Sequence, residues 1–191
     1  KVLLALIEIS GSKLSNTDLE KLLFLFCKVS KQNYYDFFPY KYGAFSFLTY
    51  YDKQKLIEKG ILKSCPHFEL LPSNHSYLKD LKKDDLDMLK EFSLRTRSLR
   101  GRELVKKTYL EYPEYASRSE ISRVVLSRDE YFEASSHWNL ANEKLLFTIG
   151  YEGKTIDQYL FELLINNIQV LVDVRKNPFS HKHGFSGKSL R

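Results

Sequence analysis

The most constraining feature of the chain lies near its end. Leu145-Leu146-Phe147-Thr148-Ile149 is an unbroken apolar run closed by Gly150. Ile156 to Leu164 carries Ile156, Leu160, Leu163 and Leu164 at helical spacing, with Thr155 in the N-cap position and Asn166-Asn167 after it. Val170-Leu171-Val172-Asp173-Val174 is a second, β-branched run. Continuous apolar strands on either side of an amphipathic helix predict a βαβ unit, because such strands are stable only when buried on both faces. A crossover of this length makes the two strands parallel and the connection right-handed.

The N-terminal half has a different rhythm. Val2 to Ile9 reads as a short helix stopped by Gly11 and Ser12, and Ser15, Asn16 and Thr17 offer caps for a second. In that helix Leu19, Leu22, Leu23, Phe26 and Cys27 recur at helical spacing, and Asp18 and Glu20 suit the positive end of its dipole. An aromatic stretch follows from Tyr34, extended and leading into a turn at Gly43. Ser46 caps a third helix, Phe47 to Lys59, with Leu48, Tyr51, Leu56 and Ile57 as its expected inner face and Gly60 as its stop. Ile61 to Lys63 and His67 to Leu71 alternate as two short strands. Helices followed by a two-stranded wing are the order of a winged helix, here with a long aromatic insert between the second and third helices. Beyond the linker at Pro72 to His75, helices are expected at Asp85 to Leu94 (capped by Asp84), Arg102 to Tyr112 and Ser119 to Leu126. Arg128 to Asn142 reads as a polar connector anchored by Trp138.

The fold class expected is therefore α+β in two parts. A winged-helix-like domain spans 1–72, a helical extension and connector spans 76–143, and the opening βαβ of an α/β domain with a parallel sheet spans 144–191. The only methionine is Met88, and the chain stops at Arg191 as a helix-like segment begins, so it reads as a fragment. No apolar run reaches the ~18 residues that cross a bilayer, and no signal peptide is evident, so no membrane association is expected. Two cysteines, Cys27 and Cys65, are too few for a disulfide framework, which makes the cytoplasm the expected compartment.

Chemistry is sought where ligands enter parallel sheets, beyond the carboxyl ends of the strands. Tyr151 and Lys154 follow the first strand. Asp173, Arg175, Lys176, Ser180, Lys182 and His183 end or follow the second. Arg175 to Arg191 holds five Lys and Arg and no acidic residue, which suits phosphate or another anion. Asp173 can act as a base or simply hold Arg175; Arg175 can stabilise a developing anion; Tyr151 completes this candidate catalytic set. Gly150-Tyr-Glu-Gly153 lacks the third glycine of a dinucleotide fingerprint, so no cofactor is expected. His181 and His183 have no suitably spaced third ligand, so no metal is expected. A second basic cluster, Arg95, Arg97, Arg100, Arg102, Lys106 and Lys107, is interrupted only by Glu103 and can line a phosphate backbone.

Resemblances to known families rest on these residues. Thr148-Ile149-Gly150-Tyr151-Glu152-Gly153-Lys154-Thr155, Leu171-Val172-Asp173-Val174-Arg175-Lys176-Asn177-Pro178-Phe179-Ser180 and Gly184-Phe185-Ser186 resemble the start of domain-of-unknown-function family 488. The matching positions are Gly150, Tyr151, Asp173, Arg175, Pro178 and Ser180, and the resemblance implies nucleic-acid processing or defence. The strand Leu-Val-Asp-Val-Arg also resembles the rhodanese motif, but no cysteine lies in this part of the chain to act as its nucleophile. In the N-terminal half, Lys21-Leu22-Leu23-Phe24, Pro39-Tyr40-Lys41-Tyr42-Gly43-Ala44-Phe45-Ser46 and Leu56-Ile57-Glu58-Lys59-Gly60-Ile61 resemble antitoxin-like domains of the Panacea type, with Ala44 where those carry proline. That resemblance implies a regulatory or partner-binding module.

With a formal charge of +6, the leading expectation is a DNA-binding or otherwise nucleic-acid-interacting protein. An enzyme acting on an anionic substrate and a protein–protein module using the aromatic segment 34–47 remain open. A continuous positive face favours the first, and an exposed apolar patch without one favours the last.

Overall fold

The computed structural model describes residues 1–64, 66–138 and 145–190. Its centre is α2 (Asn16–Ser30), around which α1 (Val2–Ile9), α4 (Lys83–Thr96), α5 (Gly101–Glu111) and the strand β3 (Gly43–Phe45) pack. Leu19, Leu22, Leu23, Phe24 and Phe26 are fully buried, and the whole stretch Asp18 to Cys27 is buried. A helix covered on all sides must find partners for its charged residues, and two lysines show how. Lys21 donates to the carbonyl of Ala44 at 2.8 Å. Lys53, from α3 (Phe47–Glu58), reaches Glu20 Oε1 at 2.9 Å and Asn16 Oδ1 at 2.7 Å and lies over the Phe68 ring.

That ion pair corrects the expected inner face of α3. Its buried positions are Thr49 and Lys53, with Leu56 and Ile57 half-buried, whereas Leu48 and Tyr51 are exposed. The face is helical in period but rotated, because the lysine is neutralised by a carboxylate from another helix.

Strands β1 (Lys13–Leu14), β4 (Leu62–Lys63) and β5 (Phe68–Leu70) form an antiparallel sheet in the order β1-β5-β4, with Leu14 opposite Phe68 and Lys63 opposite Glu69. The aromatic stretch folds back as a hairpin, β2 (Phe38–Tyr40) against β3, with Phe38 opposite Phe45 and Tyr40 opposite Gly43. Gly43 has φ of +90°, and a Cβ there would lie 2.6 Å from the Tyr109 ring, so glycine is required twice over.

The helical extension departs from expectation in its details. α4 begins at Lys83, which puts Asp84 in its first turn and not at its cap. α6 is only Ser122–Val125. The expected connector is instead a helix, α7 (Arg128–Ser136), opened by a capping box in which Ser127 and Glu130 satisfy each other's backbone N–H groups. Trp138 does anchor it, donating to the Pro113 carbonyl at 2.6 Å. The rest of that expectation, residues 139–142, lies outside the described residues.

The expected βαβ is present in its helix alone. α8 (Ile156–Ile165) opens with a capping box between Thr155 and Gln158. The flanking segments 145–149 and 170–174 are not paired as strands, and Leu146, Val170, Val172 and Val174 are exposed. Among the described residues every strand pairing is antiparallel. The physical reason is visible in what α8 covers: it packs on β2 and α3, not on a sheet of its own. A parallel pair without that cover has little to hold it together.

Candidate partner-binding surface

The cations expected to form one receptacle are mostly spent internally. Arg175 donates from Nε and Nη2 to the two oxygens of Asp173 at 2.7 and 2.6 Å, and from Nη1 to the Phe185 carbonyl at 2.9 Å. Its guanidinium also covers the Tyr151 ring, which stacks on the fully buried Phe185; Tyr159 meets Phe185 edge-on. Hydrogen bonding to Arg175 pulls Asp173 down to about 2, so at neutral pH it is ionised and a weak proton acceptor. The structure thus brings Tyr151, Asp173 and Arg175 together, as a knot that orders the loop. Gly184, with φ of +83°, lets this loop close onto α8, where a Cβ would sit 2.8 Å from Ile156 Cγ1.

The neighbouring residues follow the same pattern. Lys182 donates to the Tyr151 carbonyl at 3.0 Å, and Lys154 pairs with Glu162 at 2.5 Å. Ser180 Oγ accepts from the backbone N–H of Lys182. Lys176 and His183 are exposed.

The helical cluster is likewise dispersed among partners. Arg95 pairs with Glu91, Lys107 with Glu111, and Lys106 with Glu130 at 2.7 Å. The Lys106 contact, helped by the Ser127 N–H, holds Glu130 down at about 2. Arg100 donates to the carbonyls of Thr96 and Leu99, closing the end of α4, and Arg102 donates to the Val124 carbonyl. Of the six, Arg97 is exposed with no hydrogen-bonded or ion-paired partner among the described residues.

One exposed apolar patch is aromatic. Phe37 and Phe38 enter the core, while Tyr40, Tyr42, Phe47, Leu48, Tyr50 and Tyr51 remain 42–55% exposed. They occupy the β2-β3 hairpin and the outer side of α3. Phe38, Tyr40, Phe45 and Phe47 pack on one another with centroids 5.3–5.9 Å apart, which stiffens the base of this face. Cations nearby are neutralised: Lys41 by Glu120 at 3.5 Å, Lys55 by Glu58 at 2.8 Å, and Lys53 in the interior.

Asp157 escaped the sequence reading, and it joins the two halves of the chain. This buried first-turn residue of α8 accepts from Ser46 Oγ at 2.9 Å and from the N–H groups of Phe47 at 3.0 Å and Leu48 at 3.3 Å. Those are the orphan donors at the start of α3, and Ser46 satisfies a third, Thr49 N–H, at 3.2 Å. Burial raises the Asp157 pKa despite these three donors. Its only local signal is an acidic residue in a helical first turn, which reads as a partner for its own helix.

Cys27 is buried, and burial pushes its thiol up to about 12, which keeps it protonated at neutral pH. Among the described residues no group of three or more His, Cys, Asp or Glu could hold a metal ion, and no helix is long and apolar enough to cross a membrane. No protein-family model, curated protein or solved structure matches the chain. The resemblances therefore stand on their motifs alone.

Proposed function

We propose that this chain is a protein-partner-binding module on a winged-helix scaffold, with the hairpin and α3 as its recognition face. The element order α1-β1-α2-β2-β3-α3-β4-β5, a winged-helix order with the hairpin inserted between α2 and α3, supports the scaffold together with the sheet order β1-β5-β4. The carrying observation is a cluster of exposed Tyr and Phe rings whose neighbouring charges are already paired. Aromatic enrichment with charge depletion characterises the core of a protein interface, so the partner chemistry is an apolar protein surface.

The Tyr42→Ser/Tyr50→Ser variant tests this, since neither ring packs on another aromatic ring among the described residues. Native chain should retain a partner in 0.5 M salt, and the variant should lose it while keeping its melting temperature. Equal retention by both overturns the proposal.

A second reading, DNA binding, is favoured by the winged-helix order and the +6 charge. In such folds the recognition helix meets base edges through its N-terminal residues. Here that end of α3 is filled by Asp157, and its outer side carries rings beside one cation, Lys55, that is paired with Glu58. Labelled single- and double-stranded oligonucleotides discriminate. Binding that falls by orders of magnitude with salt and is lost in the tyrosine variant would replace the first reading with this one.

We also propose that 145–149 and 170–174 are strands of a parallel sheet completed by further strands, as family 488 resemblance implies. Leu146 and Val174, 94% and 88% exposed, are costly to leave in water. In that setting Asp173 and Arg175 would stand at the sheet's carboxyl end, where action on an anionic substrate is the remaining alternative. The compartment consistent with two cysteines, one free and buried, is the cytoplasm.

A further inference from the structure

A cavity of about 590 Å³ lies away from the aromatic face, between α2, the loop that follows it, the turn around Tyr115 and the start of α8. Its size is that of a small-molecule site. Lys28 enters it from α2, half-buried, with Nζ 5.0–5.5 Å from the ring centroids of Phe24, Tyr112 and Tyr115. No carboxylate among the described residues lies within ion-pair distance of it. Among the described residues its one hydrogen bond is to the Tyr115 hydroxyl at 3.2 Å.

An ammonium has three N–H donors, and one is used here. Because Tyr115 accepts that bond, its own O–H remains available, and burial raises its pKa so that the proton stays on. Two N–H groups and one neighbouring O–H are thus left without an acceptor among the described residues. Burial lowers the Lys28 pKa against the opposing pull of Glu114 and Asp36. The carboxylates around the cavity stand beyond ion-pair distance of Lys28, although Glu114 and Asp36 act on it through space. Glu162 holds Lys154, and Asp36 accepts from Thr155 Oγ1 at 2.9 Å and Gln158 Nε2 at 3.1 Å. Glu152 is exposed. Phe37 and Phe161 supply apolar wall.

We propose that this cavity binds a small organic anion, a carboxylate or phosphate monoester on a flat or apolar body, with Lys28 and Tyr115 as its anion receptor. The anion supplies the direct contact that Glu114 and Asp36, acting on Lys28 only through space, do not make, and the body displaces water from the aromatic wall.

Calorimetric titration of the whole chain with phenyl phosphate, benzoate and benzylamine tests this. Saturable binding of either anion, with benzylamine weaker, is expected, and the ratio of the two anions separates phosphate from carboxylate. Tyr115→Phe, which keeps the ring, should weaken the anion about tenfold, and Lys28→Met about a hundredfold, on the scale of hydrogen bonds to charged groups. Benzylamine binding as well as the anions, or anion affinity unchanged in Tyr115→Phe, overturns the proposal; Tyr115→Phe alone suffices if Lys28→Met does not fold.

Discussion

Asp157 is the single residue whose removal most sharply tests how the two halves cohere. Asp157→Ala deletes the acceptor of three hydrogen bonds and leaves the N–H groups of Phe47 and Leu48, with the Ser46 hydroxyl, without a protein partner. Loss of a helix cap costs about 1 kcal/mol, and a bond to a charged acceptor about 1.5–3 kcal/mol. Water entering the gap and relief from burying a carboxylate offset part of this. We expect a net loss of about 2–3 kcal/mol, or about 5–10 °C in Tm for a chain of this size. Asp157→Asn should lose about 1 kcal/mol, because one amide oxygen still accepts. The pH dependence supplies a second, independent readout. The folded pKa of Asp157 is raised above 3.8, so the folded state holds this proton more tightly than the unfolded state. That contribution is full below pH 3.8 and is lost as pH rises through the folded value. The advantage of the native chain over Asp157→Asn, from urea unfolding across the acid range, should therefore shrink as pH rises. Asp157→Ala within about 0.5 kcal/mol of native, the range of an ordinary surface change, would refute the capping argument.

Three further outcomes are expected. Lys21, buried against the Ala44 carbonyl, has its pKa lowered to about 8 by burial, so the unfolded chain binds more protons between pH 8 and 10.5. Stability relative to Lys21→Met should rise across that window, by up to about 3 kcal/mol; a flat difference in chemical denaturation would refute this. Lys53→Met or Glu20→Gln alone should cost about 3–5 kcal/mol, and a double-mutant cycle should show strong coupling between the two sites; additive losses would deny the pair its role. Gly184→Ala should cost about 1–3 kcal/mol and free the loop from α8, seen as faster amide exchange around Phe185; unchanged exchange would count against the close approach to Ile156.

The helices of the N-terminal half were legible because their signals are local: Ser15 and Ser46 cap, Gly60 follows, and leucines recur with the helical period. The capping box at Ser127 was equally local and was passed over because the segment behind it is polar. The i, i+4 pairs Glu91–Arg95 and Lys107–Glu111 were also within reach of spacing alone, and they weaken any count of free cations.

What the amino-acid order determined by itself is thus where helices start and stop, and that rings and cations are abundant. Tertiary structure decided which of them face water. α3 is rotated because Glu20 neutralises Lys53; the rings of the hairpin divide between core and surface; Lys106 finds Glu130 and Asp157 finds α3. Each of these depends on a partner distant in sequence, and neither periodicity nor propensity carries information about such partners. The exposed 145–149 and 170–174 segments follow the same logic, since a strand's burial belongs to the sheet and not to its own residues.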